Sequence, residues 1–561
     1  MFKKNTVAKI FTFLLCLTLL AGCSDSGNSG DAGNTTPTTE VTGTESGNNG
    51  SKDNNDNNGN SGNTDTGTNE ATPTENPSGS TDVTDPSGDS GSSSDSVKVP
   101  TAPDFKMISI DYKNKDLATS YVPGDCTSIV FSENDVNVVG KETEISKANG
   151  RVTVKIIKKG DYLISGSCSN GQIIVEAGNE KDVRLILNGV NLACTDSAPI
   201  YEKQCDKMVI TLAEGSENYL SDTSQYIYEN VEKQQPDSVI FAKDDLVING
   251  NGSLKVDSAF MEGIHSTDSV KLISGNITVN SGDNGVRGKE GVIIKGGKLN
   301  VTSKGDSIRT TYSDNTSLGF IVIEGGDITL NSAKDGIQAT GHIQITGGTL
   351  NINTNGGSAQ ADEDGDTKSA KGIKSENNIY ISGANVNINS TDDGIKSGGN
   401  LIVADGIVNI NSEDDAIQAD ESIVIKGGDV NIPDSKDGLK AKNVSINGGN
   451  TTINAESDGI SATSKGDSSD DKVISGDEDA FAVNGDIYVA ITNGTVNIIT
   501  DGDFIDSDGN LFITGGNVTV NGAEASEDGG VKYKGKAYIT GGSIVANGVG
   551  DISSKILSNA E

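Results

Sequence analysis

Acidic residues recur in this chain at one place in a repeating phrase, immediately before Gly-Ile or a close equivalent. Glu262, Asp306, Asp335, Asp393, Asp415, Asp437 and Asp458 stand there, Asn284 replaces the carboxylate in one copy, and Asp503, Asp528 and Asp551 continue the series. A second acidic position follows about six residues later: Asp268 after Glu262, Glu290 after Asn284, Asp420 and Glu421 after Asp415, with Asp244 and Asp245 one copy earlier. Asp392 and Asp414 double the acid in their turns, and Asp283 stands just before Asn284. If the copies stack in register, carboxylates form columns about 5 Å apart. Each neighbouring pair then repels by about 3 kcal/mol at an effective dielectric near 20. Protons, lysines or metal ions must compensate. Hard oxygen ligands in irregular turns suit Ca²⁺, and soft ligands are absent. The candidate ligands are Asp244, Asp245, Asp268, Asp283, Glu290, Asp306, Asp335, Asp392, Asp393, Asp414, Asp415, Asp437 and Asp458. The alternative is a solvated column interleaved with lysines such as Lys243, Lys334 and Lys436. The insertion Asp362-Glu363-Asp364-Gly365-Asp366 resembles an EF-hand loop only superficially: its glycine is misplaced and no twelfth-position Glu follows.

A cationic column accompanies the acidic one. Arg287 and Arg309 lie three residues beyond Asn284 and Asp306, and Lys374, Lys396 and Lys440 continue the series. Such a column could grip the carboxylates of acidic sugars; Arg287, Arg309, Lys374 and Lys396 are the candidate ligand-binding residues. It could equally neutralise its acidic neighbour. With calcium, a cationic residue could also support β-elimination from a uronate, which needs a base for the C5 proton and a cation to acidify it. Paired carboxylates for hydrolysis are too abundant for any pair to be specific, and no residue is assigned a catalytic role.

The elements that would position these groups come from repetition. Residues 379–400, 401–422 and 423–443 carry the same sentence: alternating apolar residues, a glycine turn, further alternation, then the acid before Gly-Ile. The acid falls at 393, 415, 437 and 458, a step close to 22 residues. Two-residue alternation excludes helix, and three short strands with three bends make one coil. The expected fold is all-β: a right-handed parallel β-helix of about 22 residues per coil. Its Val, Ile and Leu stack inside, while Asn, Thr and Ser point outward. Pairs such as Gly427-Gly428 supply turns that need positive φ. Residues 241–555 carry the repeats, and 104–240 read as an N-terminal β region with the first coils and a cap over the open end.

Lys3, Lys4 and Lys9, the apolar run Ile10 to Leu20, and Leu20-Ala21-Gly22-Cys23 have the form of a lipoprotein signal, residues 1–22, with Cys23 as the lipidated residue. Residues 23–103 are almost devoid of large apolar side chains and read as a disordered stalk. The expected location is the outer face of the bacterial cytoplasmic membrane, reached through the lipid anchor alone, with the folded part a monomer projecting to the cell surface. A net charge of −37 excludes nucleic acid as a partner. Cys126, Cys168, Cys194 and Cys205 lack zinc-site spacing; disulfides or free buried thiols both remain open. The chain contains no Trp, which disfavours flat platforms for crystalline cellulose and favours soluble or acidic glycans.

Two long stretches carry a family resemblance. One joins Gly171-Gln172-Ile173-Ile174-Val175, Leu185-Ile186-Leu187-Asn188-Gly189-Val190, Ser197-Ala198-Pro199-Ile200-Tyr201 and Val209 to Asn218; the other joins Ala242-Lys243-Asp244-Asp245-Leu246 and Asn284 to Lys289. Over most of residues 120–545 the chain resembles the bacterial β-helix carbohydrate-binding proteins first described from cellulolytic clostridia. The resemblance implies a pectate-lyase-like right-handed β-helix with calcium, binding cellulose or acidic sugars without demonstrated catalysis. Asn284, Glu290 and Ser307 stand where the family often has Asp, which weakens calcium positions there. Polysaccharide binding, a calcium-dependent polysaccharide lyase, and a structural spacer or adhesin are the three functions the sequence supports.

Overall fold

The structure is a computed structural model that describes residues 98–315, 317–354, 369–463, 486–522 and 530–547. The signal and Cys23, the stalk up to residue 97, most of the acidic insertion 361–371, and Asp528 and Asp551 lie outside the described residues.

Apolar alternation has the expected consequence. The described residues are nearly all strand, with one short α-helix at Asn114–Leu117 and one turn of 3-10 helix at Pro123–Asp125. From Asp182 onward each strand pairs in parallel with its equivalent one coil on, two or three elements later in the chain. Ser253–Asp257 lies on Asn276–Ser281, which lies on Lys298–Ser303, and so on to Ala537–Asn547. Three strand faces therefore run the length of the molecule, and one coil contributes one strand to each. We call them the short face (Glu262–Ser266, Val286–Gly288, Ile308–Thr310 and their successors), the second face (Ser269–Leu272, Gly291–Ile294, Phe320–Ile323) and the third face (Asn276–Ser281, Lys298–Ser303, Asp327–Ser332). Antiparallel hairpins, Thr127–Ser132 with Asp135–Val139 and Thr143–Ala148 with Arg151–Ile156, precede the first coils and pair with them in parallel.

The interior is a stack of like on like. Leu246, Val270, Val292, Ile321, Ile343, Ile379, Leu401 and Ile423 follow one another in register, all fully buried. The glycine turns sit as tightly as their sequence suggests. Gly428 has φ +81°, and a Cβ there would lie 2.5 Å from the carbonyl oxygen of Gly406, which occupies the same turn one coil below. Cys126, Cys168, Cys194 and Cys205 are free thiols, the last three buried.

The second face is buried on both sides. Its outward row runs Val209, Val247, Lys271, Ile293, Val322, Gln344, Tyr380, Ile402, Val424. Its apolar members Val209, Val247, Ile293, Val322, Ile402 and Val424 are as buried as the core. Successive strand residues point to opposite faces, so something must cover this row. The cover is residues 98–120, laid lengthwise across the coils. Val99 packs on Tyr488, Phe512 and Tyr538 near the C-terminal end. Phe105 stacks on Tyr380 with ring centres 5.2 Å apart. Gln344 clamps the backbone of Ile108, accepting from its N–H at 2.7 Å and donating to its carbonyl at 3.1 Å. Tyr112 packs on Val209, Val247 and Ile273. Asp116, fully buried, takes Lys207 at 2.7 Å. Residues 98–103, assigned from sequence to the stalk, thus lie against the last coils, and the chain crosses the solenoid from its C-terminal to its N-terminal end before the first strand.

Each apolar side chain of the covered row is worth about 1.5–3 kcal/mol when removed from water. A chain starting at residue 119 is expected to bind the dye ANS strongly and to melt earlier than one starting at residue 98. Unchanged ANS fluorescence and melting would contradict the strap.

Candidate functional site

The acid before Gly-Ile performs a backbone task. At this bend the chain leaves the third face for the short face, and the N–H of the acidic residue finds no strand partner. In five coils the side chain at the same position one coil below accepts it, and Asp393 N–H turns instead to its neighbour Asp392 at 2.8 Å. Asn284 Oδ1 takes the N–H of Asp306 at 2.9 Å, and Asp306 Oδ1 that of Asp335 at 3.0 Å. Asp335 Oδ1 takes Lys371 at 2.8 Å, Asp437 Oδ1 takes Asp458 at 3.0 Å, and Asp458 Oδ1 takes Asp503 at 3.0 Å. The following residue's N–H bonds to the carbonyl of the next acid, as Gly285 does to Asp306 and Gly438 to Asp458, both at 2.9 Å. An amide oxygen serves as well as a carboxylate, which explains Asn284. Glu262, Asp306, Asp335, Asp393, Asp415 and Asp437 are all buried at this bend.

Burial penalises the charged form. It raises Asp306 and Asp458 to about 6 and Asp415 to about 7, with neighbouring acids adding to the effect. The cationic column answers this. His265, Arg287, Arg309, Gln338, Lys374, Lys396, Gln418 and Lys440 succeed one another in register on the short face. Arg287 reaches Glu262 at 2.7 Å and Arg309 reaches Asp306 at 2.9 Å. Lys374 lies 3.9 Å from Asp335, and Lys440 lies 2.9 Å from Asp437 and 3.5 Å from Asp415. Lys396 pairs instead with Asp420 at 2.8 Å.

Two clusters bring three possible metal donors together among the described residues: Asp237, Glu262 and His265, and Asp392, Asp393 and Asp414. Each already holds a cationic side chain. Arg287 bonds Glu262 and lies 3.7 Å from Asp237, whose carboxylate also meets His265 Nδ1 at 2.6 Å. Lys371 lies 2.6 Å from Asp392 and 2.9 Å from Asp393, and Lys436 lies 3.1 Å from Asp414. Lys371 occupies the acid's own place in its coil, before Gly372-Ile373. The sequence reading passed over it because the preceding insertion hides the spacing.

The second acidic position differs. Asp244, Asp268 and Glu290 stand at successive bends between the short and second faces, and Glu290 N–H donates to the Asp268 carbonyl at 2.9 Å. Below them Glu202, fully buried, accepts the N–H groups of Lys243 at 2.7 Å and Asp244 at 3.0 Å through Oε2. Its Oε1 is buried with no hydrogen-bond partner. Among the described residues no lysine or arginine pairs with Glu202, Asp244, Asp268 or Glu290; Asp245 lies 4.0 Å from Lys207. Burial lifts Glu202 to about 7 and, with Glu290 and Asp244, lifts Asp268 to about 6. Glu202 was missed from sequence because it sits mid-strand, in Tyr201-Glu202-Lys203, outside the repeating phrase. Asp283 is half-buried beside the next coil's turn at Gly305.

With the second face strapped over, the third face offers a long polar surface that no described segment covers. Its outward rows are ladders of Asn and Thr, with Asn387 donating to Asn351 at 3.0 Å, Asn409 to Asn387 at 2.8 Å and Asn431 to Asn409 at 3.0 Å.

The peptide ladder separates the two roles of an acid. Asp458→Asn keeps the acceptor for Asp503 N–H and is expected to leave stability nearly unchanged near pH 4 and to raise it at pH 7, where the buried carboxylate is ionised. Asp458→Ala is expected to cost about 1–3 kcal/mol. Asp458 is raised in the folded state, so its contribution is present below its ordinary value and lost as pH rises through about 6. Chemical denaturation between pH 4 and 7 will show that slope diminish in the Asn variant; equal costs for both variants would refute the assignment.

A sequence model of the family described as "carbohydrate-binding domain-containing protein" matches residues 150–416 and 392–529. A protein of Acetivibrio thermocellus with the same description is 35% identical over 229 residues, 41% of this chain and 79% of that relative. A solved structure, a gadolinium derivative of a polysaccharide lyase-like protein from C. thermocellum, is 30% identical, with 49% of this chain and 96% of that one covered at a TM-score of 0.40. The matched residues take in the acidic bends, the cationic column and most of the third face, and the chain belongs to the carbohydrate-binding domain-containing family.

Proposed function

We propose that this chain is a surface-anchored, calcium-assisted polysaccharide-binding protein without catalytic activity, built as a right-handed parallel β-helix. The observation that carries the calcium assignment is the column of acids at Asp244, Asp268 and Glu290, on successive bends, with Glu202 in the strand below them. Among the described residues no lysine or arginine pairs with these acids, and one Glu202 oxygen is buried with no hydrogen-bond partner. Hard oxygen donors at an irregular bend fit Ca²⁺. The ion would supply the positive charge that arginine and lysine supply elsewhere. The acids from Asp306 to Asp458 accept a peptide N–H or meet a cation; Glu202 and Asp244 likewise accept peptide N–H groups, but no lysine or arginine pairs with Glu202 or Asp244 among the described residues.

The glycan reading rests on the family, on the Asn and Thr ladders, and on calcium as a bridge to acidic sugars. The lyase alternative needs a basic group free to take a proton. Arg287 and Arg309 are held by Glu262 and Asp306, which supports binding over elimination. The lipoprotein signal and stalk support anchoring on the outer face of the cytoplasmic membrane, with the folded part a monomer.

Calorimetric titration with oligogalacturonates, first in calcium and then in chelator, tests this while absorbance near 235 nm is followed. Binding in calcium, its loss in chelator and a flat absorbance are expected. Rising absorbance would make the chain a lyase, and absence of heat would sink the acidic-glycan reading. Glu202→Gln is expected to weaken calcium itself by about tenfold or more, measured without glycan.

A further inference from the structure

The third face carries a groove near its N-terminal end, of about 610 Å³, between two outward rows. One row is Glu217, Ser253, Asn276; the other is Asn191, Tyr219, Lys255, Thr278. That volume lies within the range of small-molecule sites, about 300–1,000 Å³. Tyr219 is the one aromatic side chain among the described residues of its row, which continues as Asn300, Thr329, Asn351, Asn387, Asn409 and Asn431. Other large rings are engaged with one another, Phe105 on Tyr380, Tyr226 on Phe260 and Phe512 on Tyr538, whereas Tyr219 carries only the Lys255 ammonium over one face, 5.2 Å from the ring centre.

The groove is built rather than incidental. Asn218, 4% exposed, forms its floor and spends its whole amide on the walls. Its Oδ1 accepts Gly189 N–H at 3.0 Å and Val190 N–H at 3.1 Å, and its Nδ2 donates to Ser216 Oγ at 2.9 Å and the Ser253 carbonyl at 3.0 Å. Tyr219 is fixed by its hydroxyl, which donates to Asp257 at 2.8 Å. Asp257 also takes Lys255 at 2.6 Å and Asn280 at 2.6 Å. A ring held in place before ligand arrives loses little freedom on binding.

Charge decides the ligand class. The groove's one cation, Lys255, is neutralised by Asp257, and Glu217 adds a negative charge on the facing row. An acidic sugar would meet repulsion here. We propose that the groove is a subsite for a neutral hexose or pentose glycan, and that it works without calcium. The ring of Tyr219 offers an apolar surface to the carbon face of one sugar, and Asn191, Asn276 and Thr278 offer hydrogen bonds to hydroxyl groups. This rests on the glycan-binding reading above and adds a site remote in chemistry from the acidic bends.

The test is calorimetry on the full chain with cellohexaose and xylohexaose, in calcium and in chelator, with oligogalacturonate run in parallel. At least one neutral oligosaccharide is expected to bind equally in both conditions. Tyr219→Ala and, independently, Thr278→Arg, which fills the groove without altering the ring, are each expected to weaken it by about tenfold. Tyr219→Phe is expected to stay within about threefold, and circular dichroism melting shows whether each variant is folded. Neutral binding unmoved by both Tyr219→Ala and Thr278→Arg, or lost in chelator, overturns the subsite. Oligogalacturonate binding in calcium with no neutral binding overturns the subsite and leaves the calcium-assisted reading standing; no binding of any glycan overturns both.

Discussion

One interaction sets the terms for the rest of the molecule: a side-chain oxygen at the bend into the short face accepts the N–H of the same bend one coil above. Parallel strands satisfy each other's peptides along their length, but a bend leaves a buried N–H with no ladder partner, and an unpaired buried donor costs about 1–3 kcal/mol. Asn284, Asp306, Asp335, Asp437 and Asp458 each close that gap for the coil that follows. Where it operates the device fixes register, because a slipped coil would leave both the acceptor and the N–H unmatched.

The same device creates the electrostatic problem that gives the fold its chemistry. A carboxylate is a strong acceptor but carries a charge into a buried bend. The short face answers with Arg287, Arg309, Lys374 and Lys440 beside their acids, and with Lys371 inside the acidic column itself. At Glu202, Asp244, Asp268 and Glu290 the described side chains provide no such answer. That contrast, between acids paired with a cationic side chain and acids without one among the described residues, is the ground of the calcium proposal. The strap over the second face completes the division of labour: one face is closed by residues 98–120, one holds the charge columns, and one presents asparagine and threonine to solvent.

Much of the fold was legible. The 22-residue step, the two-residue alternation and the paired glycines are local signals, and they define strands, bends and inward rows without tertiary information. The acidic and cationic columns followed from the same spacing. Two features were not legible from period alone. Lys371 takes the acid's position after an insertion that breaks the spacing. Glu202 lies in an irregular early coil, and its importance depends on Asp244, forty-two residues later in the chain. The strap has no periodicity of its own, yet its target had a signal. Strands such as Phe320–Ile323 and Asn400–Val403 are apolar at consecutive positions where the third face alternates, which marks a sheet covered on both sides.

We propose that burial leaves Glu202 and Asp268 partly protonated near pH 6 and that a divalent cation displaces that proton. Calcium titration at pH 6 in buffers of different ionisation enthalpy measures this directly. Glu202, raised to about 7, and Asp268, raised to about 6, must both ionise to hold the ion. Net proton release that fades toward pH 8 is the predicted result; calcium binding with no proton release, or no calcium binding at all, would contradict the account.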